Sequence, residues 1–252
     1  MKNFITIVGL LYSLNVNTVY AQQQVDAVVD WAQRVDLTIP VDGIVKKVSV
    51  NTGQIVKKGE LLVELDSRVF NANKRQAKAK VNGLKAAYDE MKRELDRANE
   101  LYDRTVLSQH DLQVAINNEI IAKSDLEKAK SDFVKAQVDL EYASLVAPFD
   151  GLILKRNVEE GLAIINRDSY QTLITMASSQ SYLAKAELTP AQSDLAHIGQ
   201  EVKVVAADKT YSAIVVAVEY TVEKSAGELI LVVKFASPNK KLHAGSKVKV
   251  VF

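Results

Sequence analysis

The chain has 252 residues, 48% of them hydrophobic, and a formal net charge of +1. That composition suits one or two ordinary globular domains and gives no global field to attract nucleic acid or an acidic partner. Cysteine is absent, which excludes disulfides, thiolate metal ligands, a cysteine nucleophile and a lipidated N-terminal cysteine. The first 21 residues read as an export signal: Lys2 gives a short positive start, an apolar stretch covers residues 4–14, and Val19-Tyr20-Ala21 offers a small-residue cleavage pattern before Gln22. The stretch is shorter than the roughly 20 residues of a spanning helix. Cleavage is therefore expected, leaving a mature chain in an extracytoplasmic compartment; with no cysteine to oxidise, the bacterial periplasm is the simplest one. Residues 22–36 then read as a strand leading into a β-rich region.

The next element is half of a repeat. Pro40 to Gly53 (PVDGIVKKVSVNTG) aligns without a gap to Pro148 to Gly161 (PFDGLILKRNVEEG), with six of fourteen positions identical at an offset of 108 residues. Each half opens on Pro-x-Asp-Gly, and Asp42-Gly43 and Asp150-Gly151 are expected to form tight turns that need a residue tolerant of positive φ. Gly53 and Gly161 punctuate the strands that follow. The first half offers strands over residues 44–50 and 61–65; the second offers 152–154 and 172–176. Two similar β halves separated by a foreign segment suggest one domain, residues 37–66 and 144–176, cut open at a turn. This pattern resembles the biotinyl/lipoyl domain, whose two halves flank a turn carrying a modified lysine. Here that turn falls near Asp66 and Ser67, where no lysine motif stands. The resemblance implies the scaffold without the prosthetic group, which leaves a biotin or lipoate carrier as the alternative from another class; no cofactor is expected.

The segment between the halves, residues 67–143, has a helical period. Phe70, Lys74, Ala77, Val81, Leu84, Tyr88, Met91, Leu95, Ala98 and Tyr102 recur at spacings of four and three, with Lys74 the polar break. A second series runs Leu112, Ala115, Glu119, Ala122, Leu126, Ala129, Phe133, Ala136, Leu140 and Ala143, with Glu119 its break. A mean spacing of 3.5 is the seam of a left-handed coiled coil. An antiparallel helical hairpin is expected, turning near residues 105–109 with Ser108 as the cap of the second arm. Leaving and re-entering one β domain, such an arm needs a reason, and reaching a partner is the obvious one.

The last third, residues 177–252, reads as a β-barrel domain. Its strand candidates lie at 182–188, 201–206, 211–218, 229–235 and 247–252, with a short helix at 190–197 led by Thr189 and Pro190. The fold class is thus mixed: a lipoyl-like β domain split by a long α-helical coiled-coil hairpin, followed by a β-barrel.

This combination resembles the periplasmic adaptor (membrane fusion protein) family of bacterial tripartite efflux pumps. In that family the hairpin tip carries an arginine, a leucine four residues on, a serine seven after that and a leucine four further. Arg97, Leu101, Ser108 and Leu112 stand at those spacings. The resemblance implies that these four residues dock on an outer-membrane channel of the TolC type. Each also has a purely structural reading: Arg97 as a solvated charge, Leu101 as packing beside the seam, Ser108 as a cap, and Leu112 as seam core. The resemblance further implies an inner-membrane transporter at the barrel end, of the resistance-nodulation-division (RND) type, with an ABC-type exporter or secretion system as the alternative. It implies a homo-oligomer of six copies and no catalysis. The further membrane-proximal domain of many adaptors is not expected here.

Nothing in the residues argues for an enzyme or a metal site. His110, His197 and His243 are scattered without ligand spacing, and Met1, Met91 and Met176 form no soft-metal cluster. No phosphate loop occurs, and Trp31 stands alone without a basic, aromatic stripe. Asp42 and Asp150 read as turn formers rather than as a catalytic pair.

Overall fold

A computed structural model describes residues 23–166, 171–189, 192, 194, 196–206, 209–221, 228–236 and 242–252. The expected signal segment lies outside these residues, as does half of the short helix expected at 190–197. The described residues divide into two compact units, one running from Trp31 to Tyr182, the other combining residues 23–30 with those described between Leu183 and Ala236 and with Leu242–Phe252.

The second of these holds a closed six-stranded barrel of β1 (Gln24–Trp31), β10 (Ser181–Leu188), β11 (Glu201–Ala206), β12 (Lys209–Thr221), β13 (Glu228–Ala236) and β14 (Lys247–Val251), in the order β1-β10-β13-β12-β11-β14. Strict alternation sends Val25, Ala27 and Val29 of β1 inward with Ala184, Ala186, Val204, Leu231, Val233 and Val250, and leaves the intervening charged residues in solvent. Small and β-branched side chains make up most of the inside of this narrow barrel. A bulge between Val215 and Ala217 interrupts the β12–β13 ladder, and Tyr211 packs on Phe235 with ring centroids 5.6 Å apart. Five strands lie where the alternation placed them; the sixth, β1, is contributed by the region before the repeat.

The other unit holds β2 (Arg34–Leu37), β3 (Gly43–Val48), β4 (Ile55–Val56), β5 (Leu61–Leu65), β6 (Ser144–Val146), β7 (Gly151–Arg156), β8 (Ala163–Ile164) and β9 (Ile174–Ser178). They form two four-stranded sheets, β2-β9-β7-β4 and β6-β5-β3-β8. Each sheet therefore takes strands from both copies of the repeat. Shifting residue numbers by 108 maps one set of cross-links onto the other. Gly53 N donates to Ile153 O and Gly161 N to Val45 O, both at 2.8 Å; Ile153 N donates to Gln54 O and Val45 N to Leu162 O, both at 2.9 Å. The core repeats in the same way: Ile39 with Ala147, Val45 with Ile153, Val50 with Val158, Val56 with Ile164 and Leu65 with Leu173 are all buried in one cluster. Two-fold-related halves that exchange strands are the physical content of the sequence repeat.

The Asp-Gly pairs correct the sequence reading. Gly43 and Gly151 are strand residues and neither has a positive φ, whereas Gly53 and Gly161 do, at 82° and 86°. The absence of a side chain at Gly43 and Gly151 serves close approach instead. A Cβ on Gly151 would lie 2.4 Å from the Ala177 carbonyl oxygen, and one on Gly43 would lie 2.9 Å from Leu65 Cδ1. The aspartates tie the two halves together: Asn166 N donates to Asp42 Oδ1 at 2.9 Å, and Lys58 N donates to Asp150 Oδ1 at 2.8 Å. Positions 58 and 166 are again 108 apart.

Between β5 and β6 stand α1 (Arg68–Asp103), of 36 residues, and α2 (Gln109–Tyr142), of 34. Asp66 opens α1: its carboxylate accepts from Arg68 N at 3.1 Å and from Arg68 Nε at 2.9 Å. Hydrogen bonds from the Arg68 side chain, then from its backbone, hold the Asp66 carboxyl down to about 2. The position expected of a modified lysine is thus a helix start with a fixed Asp–Arg pair. The helices pack on each other antiparallel, as shown by Lys80 Nζ bonded to Asp132 Oδ2 at 3.2 Å near one end and by Met91 and Ala98 lining one groove with Ala115 near the other. Apart from Tyr102, the expected seam residues are half-buried or buried, and Ala98, Leu126 and Ala129 are buried. Glu119, the polar break, hydrogen-bonds Tyr88 across the seam; partial desolvation, then this bond, raise the Tyr88 phenol above its usual range.

Candidate docking surface at the helix turn

Residues 104–108 reverse the chain between the helices. Val106 N donates to Leu101 O at 2.9 Å and Thr105 N to Tyr102 O at 2.8 Å. That pair of bonds is a Schellman motif, which usually places glycine at the left-handed position. Here the position is Thr105, with φ 59°, the one non-glycine residue of positive φ among the described residues. The turn then enters α2 through Ser108, whose backbone is extended and whose Oγ accepts from Asp111 N at 3.1 Å. The same hydroxyl donates to Asp111 Oδ2 at 2.6 Å. Asp111 lies in the first turn of α2, where the helix dipole favours an anion.

Of the four residues the sequence singled out at this end, the structure brings Arg97 and Leu101 to one groove. Arg97 is exposed and donates through Nη1 to Glu94 Oε1 at 2.9 Å. Leu101 is half-buried beside Leu107, Val114 and Asp111 in a groove of about 290 Å³. Ser108 caps α2, and Leu112 is half-buried in the seam, its N–H bonded to Ser108 O at 3.2 Å. One detail of the periodic reading is corrected. The seam swings at its end from Tyr102, which is 39% exposed, to Leu101. The Schellman turn reverses the chain just beyond, and Leu107 lines the same groove as Leu101. Sequence reasoning missed Leu107, Asp111 and Val114 as members of this surface. The Ser-x-x-Asp spacing of a capping box was the available signal for Asp111. Val106, 72% exposed, crowns the turn.

The surface is thus an apolar groove flanked by one cation and two carboxylates, on a stiff support. It offers shape and charge suited to recognition. Among the described residues, no group of three or more His, Asp or Glu side chains is placed to hold a metal ion, and no helix is long and apolar enough to cross a membrane.

The model of the CzcB-like barrel-sandwich hybrid domain matches residues 33–178. The chain is 28% identical over 176 residues to the macrolide export protein MacA of Yersinia pestis, covering 64% of this chain and 47% of that protein. It is 37% identical over 136 residues to the efflux pump periplasmic linker BepF of Brucella suis biovar 1, covering 54% of this chain and 33% of that one. The chain therefore spans less than half the length of these two relatives. A solved membrane fusion protein of Streptococcus pneumoniae R6 superposes with a TM-score of 0.70 at 16% identity, over 91% of this chain and 98% of that one, which is a likeness of fold.

Proposed function

The chain belongs to the family of CzcB-like barrel-sandwich hybrid domains, and from that premise we propose that it is a periplasmic adaptor of an efflux system. In this reading it bridges an inner-membrane transporter and an outer-membrane channel so that substrate leaves the cell. The names of two relatives, an export protein and an efflux pump periplasmic linker, support the role. The adaptor does no covalent chemistry. In this reading residues 1–21 are the export signal, 37–66 and 144–176 the lipoyl-like halves, 67–143 a coiled-coil hairpin, and 177–252, joined by β1, the barrel domain. Copies form a ring, six by family likeness, with an RND-type transporter at the barrel end; an ABC-type exporter is the second candidate.

The observation that carries this reading is the pair of long helices set between β5 and β6, ending in a capped turn that displays Arg97 and Leu101. Each arm is about 50 Å long at 1.5 Å per residue, far more than a small β domain needs for its core. The turn is the part that touches the channel. Arg97 supplies guanidinium donors suited to carbonyls or carboxylates, Leu101 and Leu107 supply the apolar contact, and Ser108 holds the start of α2 in place.

The test is Arg97→Asp in a strain lacking the chromosomal copy, scored by drug and metal susceptibility and by co-purification of the channel. Export and channel capture are expected to fall at least about tenfold, the loss of one charge-assisted contact with a repulsion added, while helicity by circular dichroism stays at the parental value. Parental export with the variant present would refute the tip assignment.

A further inference from the structure

The outer wall of the barrel carries a second concave surface, a trough of about 640 Å³ that the docking turn does not involve. It crosses four neighbouring strands, β10, β1, β14 and β11. Alternation makes such a wall: one set of side chains points into the barrel, and the intervening set faces outward. On β1 an outward position is Val28, an aliphatic residue left 48% exposed, and Val205 of β11 adds a second apolar group to the trough. The remaining outward positions are charged. Lys185 and Glu187 stand on β10, Asp26 on β1, and Lys247 and Lys249 on β14, all of them exposed.

These charges are unevenly satisfied. Lys185 donates through Nζ to Asp30 Oδ2 at 2.7 Å, so its charge is answered within the chain. Among the described residues, the side chains of Asp26, Glu187, Lys247 and Lys249 make no hydrogen bond and no ion pair. For two of them this is unexpected. Asp26 and Lys249 face each other directly across the β1–β14 ladder, where opposite charges gain by pairing. The trough is therefore lined by two open ammonium groups on β14 and two open carboxylates on β1 and β10, and their charges balance.

We propose that this trough binds a small zwitterionic amphiphile, its ammonium held by Asp26 and Glu187, its carboxylate by Lys247 and Lys249, and its apolar body laid on Val28 and Val205. A ligand with an anion alone answers the lysines and sets its charge beside two carboxylates; one with a cation alone meets the reverse problem. A neutral apolar ligand displaces water from four charges and gives them nothing in return. A zwitterion answers both sets at once. The carboxylate strands lie one and two strand spacings from β14, about 5 and 10 Å, which sets the charge separation the ligand must span. The volume lies in the range of sites for drug-sized molecules. This binding role goes beyond the adaptor function proposed above and does not rest on it, since every residue involved belongs to the barrel unit.

The experiment titrates ω-aminooctanoate into the full mature chain by isothermal titration calorimetry at low ionic strength, with octanoate and octylamine as probes that each lack one charge. The zwitterion is expected to bind at least about fivefold more tightly than either, the effect of one added charge pair at an exposed site. Lys247→Gln with Lys249→Gln is expected to abolish its advantage over octylamine. Asp26→Asn with Glu187→Gln is expected to abolish its advantage over octanoate. Both pairs alter exposed side chains alone, so circular dichroism should match the parent. No saturable binding of the zwitterion, equal affinity for all three probes, or an advantage that survives the matching pair of substitutions would each overturn the proposal. Arg97→Asp should bind the three probes like the parent, so failure of the trough and failure of the docking turn are told apart.

Discussion

Gly43 and Gly151 occupy matching places in the two halves, yet they tolerate a side chain differently. A methyl group at Gly151 meets a backbone carbonyl in the neighbouring strand, which cannot move without disturbing β9; at Gly43 it meets the end of a leucine, which can rotate. Gly151→Ala is therefore expected to lower stability by about 3 kcal/mol and Gly43→Ala by no more than about 1 kcal/mol. Urea midpoints of the two variants check this, and equal losses would contradict it. The Pro-x-Asp-Gly motif was visible in the sequence, but its reason was not. A local motif reports that glycine is needed; whether the need is a positive φ or a close neighbour depends on strands more than twenty residues away. The same holds for Asp42 and Asp150, whose partners Asn166 and Lys58 lie in the opposite halves.

Among the elements, the helices were the most legible, because a strict 3.5-residue period over some seventy residues has no competing explanation. Both polar breaks fell where expected, and Glu119 proved to be a partnered seam residue through Tyr88. The turn between the helices was legible in place but not in detail. Schellman geometry depends on two backbone bonds that leave no sequence mark when glycine is absent, and Thr105 gave no sign of its conformation. A β-branched residue in the left-handed region costs about 1 kcal/mol that glycine would not. Thr105→Gly is expected to stabilise the helix pair by that amount, seen as a rise of about 2–4 °C in melting temperature. A lower melting temperature would mean that the threonine makes a compensating contact. Of the four tip residues the sequence singled out, Arg97 and Leu101 share the groove; Leu107, Asp111 and Val114 line it with them and were not legible in the sequence.

At the scale of the molecule, the repeat announced two similar halves, and the alternating runs announced a separate barrel. Neither announced that the halves exchange strands, since pairing partners are a property of the assembled sheets. This exchange predicts the outcome of a cut at the turn. A protease site placed within residues 104–108 would leave β2–β5 with α1 on one fragment and β6–β9 with α2 on the other. Because both sheets contain strands from both fragments, and the helices share a seam, the pieces should co-elute as one particle after cleavage. Separation on a gel-filtration column without denaturant would contradict the exchange.

The same exchange sets a timetable for folding. While the chain extends only as far as Leu65, no sheet can close, because β3 and β5 still wait for β6 and β8, and β2 waits for β9. The helix pair is the first piece of this unit that can form from nearby residues alone, and zipping its seam from the turn downward draws Asp66 toward Ser144. A separation of nearly eighty residues along the chain is thereby reduced to the width of two helices before any strand has to search for its mate. In this light the helix pair is also the molecule's own folding jig: it carries most of the loop-closure cost that distant strand pairing would otherwise face unaided.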